Sequence, residues 1–120
     1  MASILLVEDT PANLALATKL LRAAGHRVLC GDTAASGVAL AIGERPDLVL
    51  MDLGLPDMDG WQALRAIRAD PAGARLRVVA FTAHAMIGDR ERALAAGFDG
   101  YLSKPIDVAT FVDSVGALVP

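Results

Sequence analysis

Five polar side chains follow short apolar runs in this chain, at the points where buried strands would reach the surface. Glu8 and Asp9 follow ILLV, Asp52 follows LVLM, Thr82 follows VVAF, and Lys104 follows YLS. Because the carboxyl ends of parallel strands meet at one edge of a sheet, we expect these residues to converge. Three acids, a hydroxyl and an amine would then form one site.

Carboxylates that are crowded together raise one another's pKa unless a cation joins them. Mg²⁺ meets that need, because it takes oxygen ligands, one or two of them carboxylates, and completes its shell with waters and phosphate oxygens. The hydroxyl of Thr82 and the amine of Lys104 would suit a phosphoryl group. Asp52 is therefore predicted to be a nucleophile, since neither an amide nor a hydroxyl could form an acyl phosphate in its place.

Each of these residues taken alone also has an ordinary structural explanation. Asp9 and Thr82 could cap helices, Asp52 could serve a turn, and Lys104 could be a surface lysine. The acids Asp57 and Asp59, among the Pro and Gly that follow Asp52, are interpreted as turn and cap residues. We favour the shared site because five separate explanations would otherwise have to coincide at one edge.

The elements that would position this site alternate along the chain. Apolar runs without polar alternation predict strands that are covered on both faces. Segments with helical spacing separate them, and the last places Val108, Phe111, Val112 and Val115 on one face. Five strands that alternate with five helices predict a parallel sheet with helices on both sides. The predicted strands are Ile4–Val7, Val28–Cys30, Leu48–Met51, Val78–Phe81 and Tyr101–Leu102.

Several local signals fix the ends of these helices. Gly25 and Gly97 each follow Ala-Ala and are predicted to take the left-handed conformation that ends a helix. Pro11 suits a first helical turn, and Asp59 or Asp107 could cap the helix that follows it.

The composition of the chain limits the number of domains and the classes of function that it could have. The chain has 120 residues, 54% of them hydrophobic and 21% charged, which predicts one globular domain. A net charge of −3 argues against nucleic-acid binding, and no apolar stretch approaches membrane-spanning length. With no signal peptide recognised, a cytoplasmic location is expected. Cys30, the single cysteine, lies in an apolar run and is predicted to be a buried thiol.

The motifs Glu8-Asp9, Asp52, Thr82-Ala83 and Lys104-Pro105, with these spacings, resemble the receiver domain of two-component response regulators. The resemblance covers residues 1–120 and implies a single receiver domain without an effector domain. It also implies a (βα)5 doubly wound parallel sheet with the flavodoxin-like strand order 2-1-3-4-5. The TAHAM segment is similar to the single-domain receivers of the DivK type and to those of hybrid kinases.

The resemblance implies a role for each site residue. Asp52 would accept a phosphoryl group from a phosphohistidine on a sensor histidine kinase or a histidine phosphotransfer protein. Asp9 and Asp52 would bind Mg²⁺ or Mn²⁺ directly, Glu8 through a water, and Gly54 through its backbone carbonyl.

The resemblance also implies a switch. Lys104 would pair with the phosphoryl group, Thr82 would move to hydrogen-bond it, and Tyr101 would turn inward as Thr82 moves. Pro105 would follow a cis peptide bond that aims Lys104 into the site. His84 is interpreted as an exposed loop imidazole, or as a residue that affects entry of the hydrolytic water.

Signal output is expected through protein contact. The first helix, around Asn13, Leu14 and Ala17, would meet the phosphodonor together with the loop after Lys104. The surface formed by the fourth helix, the fifth strand and the fifth helix would meet an unknown protein target or a second copy of the chain after phosphorylation.

Three other functional classes are alternatives to this interpretation. An aspartate-nucleophile phosphatase of the haloacid dehalogenase kind would normally carry D-x-D after its first strand, whereas the site strand here reads DLG and comes third. A flavodoxin-like electron carrier would carry a phosphate loop after its first strand. A phosphorylation-independent interaction module would lack site residues that this chain retains.

Overall fold

Strands and helices alternate along the chain in a computed structural model that describes residues 2–83 and 89–119. The predicted sequence of elements is confirmed, and each strand extends one residue or less beyond either predicted end. The elements are β1 (Ser3–Val7), α1 (Pro11–Ala23), β2 (Arg27–Gly31), α2 (Ala34–Glu44), β3 (Leu48–Asp52), α3 (Gly60–Ala69), β4 (Val78–Thr82), α4 (Asp89–Ala96), β5 (Gly100–Ser103) and α5 (Phe111–Leu118).

The five strands form one parallel sheet in the order β2-β1-β3-β4-β5, which confirms the predicted topology. β3 lies at the centre, and all five of its residues are buried, including Asp52. This explains the continuous apolar run before Asp52, because a central parallel strand has no face toward water. The order reverses between β1 and β3, so a cleft opens beyond their carboxyl ends.

Two apolar cores flank the sheet. The α1/α5 core contains Leu21 and Phe111 from the helices and Phe81 from the sheet. The α2/α3/α4 core contains Leu64 and Ala93 from its helices, together with alternate residues of the same strands. Because successive strand residues point to opposite faces, each strand end delivers neighbouring side chains to opposite sides of the sheet.

The predicted helix ends are largely confirmed. Gly25 and Gly97 have φ angles of 92° and 111°, which glycine adopts without steric cost. The Asp59 carboxylate accepts the Gln62 N–H at 2.8 Å, and the Gln62 side chain accepts the Asp59 N–H in return. This capping box fixes the start of α3 just after the loop that follows Asp52.

Three local predictions are wrong. Cys30 is exposed because β2 is an edge strand that α1 covers incompletely. Val108 is 60% exposed and lies before α5, because the chain makes a turn at residues 108–110 before the helix begins at Phe111. Asp107 does not cap α5: its carboxylate accepts the Ala109 N–H at 3.0 Å within that turn.

Gly37 and Gly43 of α2 provide a matched test of the helix–sheet packing. A Cβ on Gly37 would lie 2.6 and 2.7 Å from the two methyl groups of buried Val7, whereas a Cβ on Gly43 would meet nothing within 4 Å. Gly37→Ala is therefore expected to lower the unfolding free energy by about 1–3 kcal/mol through overpacking. Gly43→Ala should raise it by about 0.5 kcal/mol through the higher helix propensity of alanine. Urea unfolding measures both, and an equal effect of the two substitutions would contradict this packing.

Candidate functional site

Three side chains from three strand ends meet at the carboxyl edge of the sheet. Val7 pairs with Met51 across β1 and β3, so Glu8 and Asp52 follow neighbouring residues and emerge side by side on the α1/α5 face. Lys104 follows β5 and reaches back across β4 to both acids. Its Nζ lies 2.5 Å from Glu8 Oε1 and 3.3 Å from Asp52 Oδ2.

The side chains of this cluster are almost completely shielded from solvent. The side chains of Glu8, Asp52 and Lys104 are 0%, 10% and 8% exposed, respectively. The Lys104 backbone N–H donates to the Thr82 carbonyl at 2.8 Å, which fixes the start of the loop, and the Lys104–Pro105 peptide bond is cis. A buried charge is tolerated only when it is paired and hydrogen-bonded, so the ammonium and the two carboxyls depend on one another.

The two buried acids have pKa values that move apart. Burial raises the pKa of Glu8, and its hydrogen bond with Asp52 raises it further, against the opposing effect of Lys104. Burial also acts to raise the pKa of Asp52, but hydrogen bonds from Glu8, from the Gly54 N–H and from Lys104 outweigh it and lower the pKa. Asp52 is therefore the more acidic member of the pair.

The acids also form a donor set that fits a hard divalent cation. Glu8, Asp9 and Asp52 each offer a carboxylate oxygen, and these oxygens lie within 4.8 Å of one another. Asp9 is exposed, so the cluster opens to water on that side. Carboxylate oxygens with room for waters are the ligands that Mg²⁺ and Mn²⁺ prefer. Thr10, not Asp9, is the N-cap residue of α1, so the helix-capping explanation for Asp9 does not hold.

The loop after Asp52 shapes the mouth of the site. The Gly54 N–H donates to Asp52 Oδ1 at 3.0 Å and orients the carboxylate. Gly54 is exposed and adds no side chain at the entrance. Gly60 is buried against the start of the loop, and its N–H donates to the Leu53 carbonyl at 3.1 Å.

Thr82 and Tyr101 occupy the opposite face of the sheet from the acids. Ala80 pairs with Tyr101 across β4 and β5, and both pack in the α2/α3/α4 core. Thr82 lies two residues after Ala80, and therefore on the same face, where it is 1% exposed. Ala83 is exposed just after the strand. The prediction for His84 lies outside the described residues.

Burial raises the pKa of Tyr101, and the negative charge of Asp89 at the start of α4 raises it further. The phenol is half-buried, so its ring lies between the core and the surface. Tyr101 therefore stays neutral at physiological pH, and its pKa depends on the position of Asp89 on α4.

Asp57 has a role that the sequence did not reveal. Its two carboxylate oxygens accept the backbone N–H groups of Ala34 and Ala35 at 2.8 and 2.9 Å. These N–H groups open α2, so the loop after Asp52 is tied to the neighbouring helix by a carboxylate at its positive end. The sequence interpretation of Asp57 as a turn residue was incomplete, because this contact joins segments that are 22 and 23 residues apart.

The Asp57 contact predicts a pH-dependent stability difference. The backbone donors of Ala35 and Ala34 lower the pKa of Asp57 below its ordinary value of 3.8. The stabilisation that ionised Asp57 gives the folded state is thus present above pH 3.8. It is lost as the pH falls through the lower pKa that Asp57 has in the folded state. The stability difference between wild type and Asp57→Asn should be largest at neutral pH and should close on acidification, as urea unfolding at several pH values would measure. Glu44→Gln, at the other end of α2, should not reproduce this pattern.

Comparison with known proteins identifies the family. Residues 4–116 match the model of the response regulator receiver domain. This chain belongs to that family. It is thus a receiver domain of two-component signalling, and its CheY-like fold is the one that the resemblance implied.

Individual relatives span nearly the whole chain. Protein PilH of Pseudomonas aeruginosa is 35% identical over 119 residues, which are 99% of this chain and 98% of PilH. The polar-differentiation response regulator DivK of Brucella anthropi is 35% identical over 113 residues, covering 94% of this chain and 92% of DivK.

A solved relative adds an observation about metal binding. The receiver domain of the sensor histidine kinase PA1611 from Pseudomonas aeruginosa PAO1 is 40% identical, with a TM-score of 0.87 and coverage of 98% of this chain and 96% of that one. That crystal structure contains a magnesium ion coordinated in the active-site cleft.

In the described part of the present chain, no helix is both long and apolar enough to cross a membrane.

Proposed function

We propose that this receiver domain accepts a phosphoryl group on Asp52 from a phosphohistidine donor and uses it to change its protein-binding surface. The observation that carries the proposal is the buried cluster in which an ionised Asp52 is held between Glu8, the Gly54 N–H and Lys104. A carboxylate with a lowered pKa is available as a nucleophile at neutral pH.

The phosphoryl transfer is a displacement at phosphorus. An Asp52 oxygen attacks the phosphorus, and the P–O bond forms as the P–N bond to the donor imidazole breaks. The imidazole, which already carries a proton on its other ring nitrogen, takes the P–N electron pair and leaves as a neutral base. The lysine ammonium then exchanges its contact with the carboxylates for a contact with the new phosphoryl oxygens. Lys104 is suited to this exchange because its 3.3 Å contact with Asp52 already places it beside the reacting atoms.

Glu8, Asp9, Asp52 and the backbone carbonyl of Gly54 would hold Mg²⁺ or Mn²⁺. The bound cation would neutralise charge that accumulates on the phosphoryl oxygens during transfer. By the resemblance to receiver domains, Glu8 would act through a water, whereas Asp9 and Asp52 would contact the ion directly.

Thr82 and Tyr101 would convert the chemical change into a change of surface. Phosphorylation brings a charge of roughly −2 and new acceptor oxygens to the edge of the sheet, by analogy with hydroxyl phosphates. The Thr82 hydroxyl would donate to one of them, and the loop to α4 would follow. Tyr101 shares the Thr82 face and would turn into the space that this shift leaves.

The available energy sets the extent of switching. Reversing a conformational equilibrium from 1:99 to 99:1 takes about 5.5 kcal/mol of differential affinity. One hydrogen bond to a charged group contributes about 1.5–3 kcal/mol. We therefore expect incomplete switching, with both conformations populated after phosphorylation. Amide chemical shifts of α4 with and without beryllofluoride would measure the two populations.

The donor would approach over α1. A groove of about 580 Å³ lies along α1, and its mostly apolar lining includes two basic residues. Its residues are Pro11, Leu14, Ala15, Thr18, Lys19, Arg22 and Cys30. A sensor histidine kinase or a histidine phosphotransfer protein would pack against this groove with its phosphohistidine directed at Asp52. Ala17, which the sequence interpretation included in this contact, is fully buried and cannot take part.

The signal would leave through α4, β5 and α5. Leu94 on α4 and Val108 before α5 expose apolar surface of the kind that protein contacts bury. The partner would be a target protein or a second copy of this chain.

Labelling with acetyl phosphate tests the proposed function. Intact-mass spectrometry should show the addition of one phosphoryl group to the wild type in the presence of Mg²⁺ and none in EDTA. Asp52→Asn should remain unlabelled, because an amide cannot form the acyl phosphate. Sustained multiple-turnover release of phosphate from small phosphoesters would instead favour a phosphatase, and labelling of Asp52→Asn at the wild-type rate would refute the proposal.

A further inference from the structure

Lys104 has a third neighbour besides the two acids. Its Nζ lies 5.0 Å from the centroid of the Phe81 ring, within the distance at which a cation is attracted to an aromatic face. Phe81 pairs with Asp52 across β3 and β4, so both side chains lie on the same face of the sheet. The lysine therefore crosses the ring on its way from β5 to the acids.

The ring is itself fixed in place. Phe81 is 1% exposed, and its centroid lies 5.9 Å from that of Phe111 on α5, with the two rings tilted by 34°. A ring that is packed from below by another aromatic side chain has little freedom to turn away from the ammonium. Lys104 is itself largely removed from water, which strengthens attraction to the ring.

We propose that Phe81 is a positioning residue for Lys104. The proposal rests on the proposed function, in which Lys104 leaves the carboxylates for the phosphoryl group. Its anionic partners change during that step, whereas the ring face remains. Phe81 would therefore hold the ammonium at the edge of the sheet in both states and keep it directed at the reacting oxygens.

Graded fluorination of the ring separates this electrostatic role from packing. Fluorine withdraws electron density from the aromatic face while nearly preserving the shape of the side chain. Site-specific replacement of Phe81 by mono-, di- and trifluorophenylalanine should slow labelling by acetyl phosphate progressively. We expect about a three- to tenfold total decrease, the range for a weakened cation–π contact at a desolvated ammonium. The same series at Phe98, whose ring packs on Trp61 instead, should leave the rate unchanged.

A second measurement reads the contact without phosphorylation. The chain has two lysines, so ¹³Cε-lysine labelling gives one methylene signal for Lys104 and one for the exposed Lys19 as a reference. The ring current of Phe81 should move the Lys104 methylene protons upfield of those of Lys19. Phe81→Leu, which keeps an apolar side chain, should remove that shift and slow labelling at least as much as trifluorination.

The outcomes are distinguishable. A flat fluorine series at position 81, an equal decline at position 98, or a Lys104 signal that Phe81→Leu does not move would overturn the role of Phe81. Failure of the wild type to accept a phosphoryl group on Asp52 would overturn the proposed function itself.

Discussion

Replacing Lys104 with methionine is expected to lower the free energy of unfolding by about 3–5 kcal/mol, because it removes the cation from a buried ion cluster. Glu8 and Asp52 would lose their neutralising partner while remaining out of water. Labelling of Asp52 should also slow about 100-fold, the usual cost of removing one preorganised donor from a transition state. Urea unfolding and the acetyl phosphate time course measure the two effects.

A double substitution distinguishes the cluster from a general loss of charge. Adding Glu8→Gln to Lys104→Met should restore more than 1 kcal/mol, or roughly a third of the loss, because fewer buried acids then lack a cation. Lys19→Met, at an exposed position on α1, should change the unfolding free energy by less than about 0.5 kcal/mol. Equal effects of Lys19→Met and Lys104→Met would contradict the buried pairing.

Gly60→Ala should also have a large effect, because its Cβ would meet backbone atoms as well as the Leu53 side chain. That atom would lie 2.7 Å from the Asp52 carbonyl oxygen and 2.8 Å from the Leu53 Cα. Relieving the overlap requires the chain at Asp52 to move, at a cost of about 1–3 kcal/mol in stability. A shift of about 1 Å at the nucleophile can slow a reaction by up to about 100-fold.

Gly54→Ala is the matched control for stability. Its Cβ would contact Asp52 Oδ1 at 3.8 Å, an ordinary van der Waals distance. Its unfolding free energy should stay within about 0.5 kcal/mol of the wild type. If urea unfolding showed Gly60→Ala to be as stable as Gly54→Ala, the close approach of α3 to the site strand would be disproved.

The sequence predicted the fold well because the strongest signal was local. The fully apolar run before Asp52 and the Ala-Ala-Gly turns at Gly25 and Gly97 each depend on a few neighbouring residues. Strand ends in a parallel sheet then bring Glu8, Asp52 and Lys104 together without any further information.

The errors arose where burial depends on distant segments. Cys30 lies in an apolar run, yet its exposure depends on how far α1 covers an edge strand. Val108 continues the helical pattern of Phe111, but the backbone turns before the helix starts. The bonds from Asp57 to α2 and the contact of Phe81 with Lys104 could not be predicted, because nothing in the local pattern marks a partner so far along the chain.

The most direct test of the account is to locate the phosphoryl group. Protein labelled with acetyl phosphate and Mg²⁺ would be reduced with borohydride, which converts an aspartyl phosphate to homoserine, and then digested for peptide mass spectrometry. The account predicts homoserine at position 52, with Asp9, Asp57 and Asp59 unchanged. Homoserine at another aspartate, or labelled protein that retains Asp52 after reduction, would contradict it.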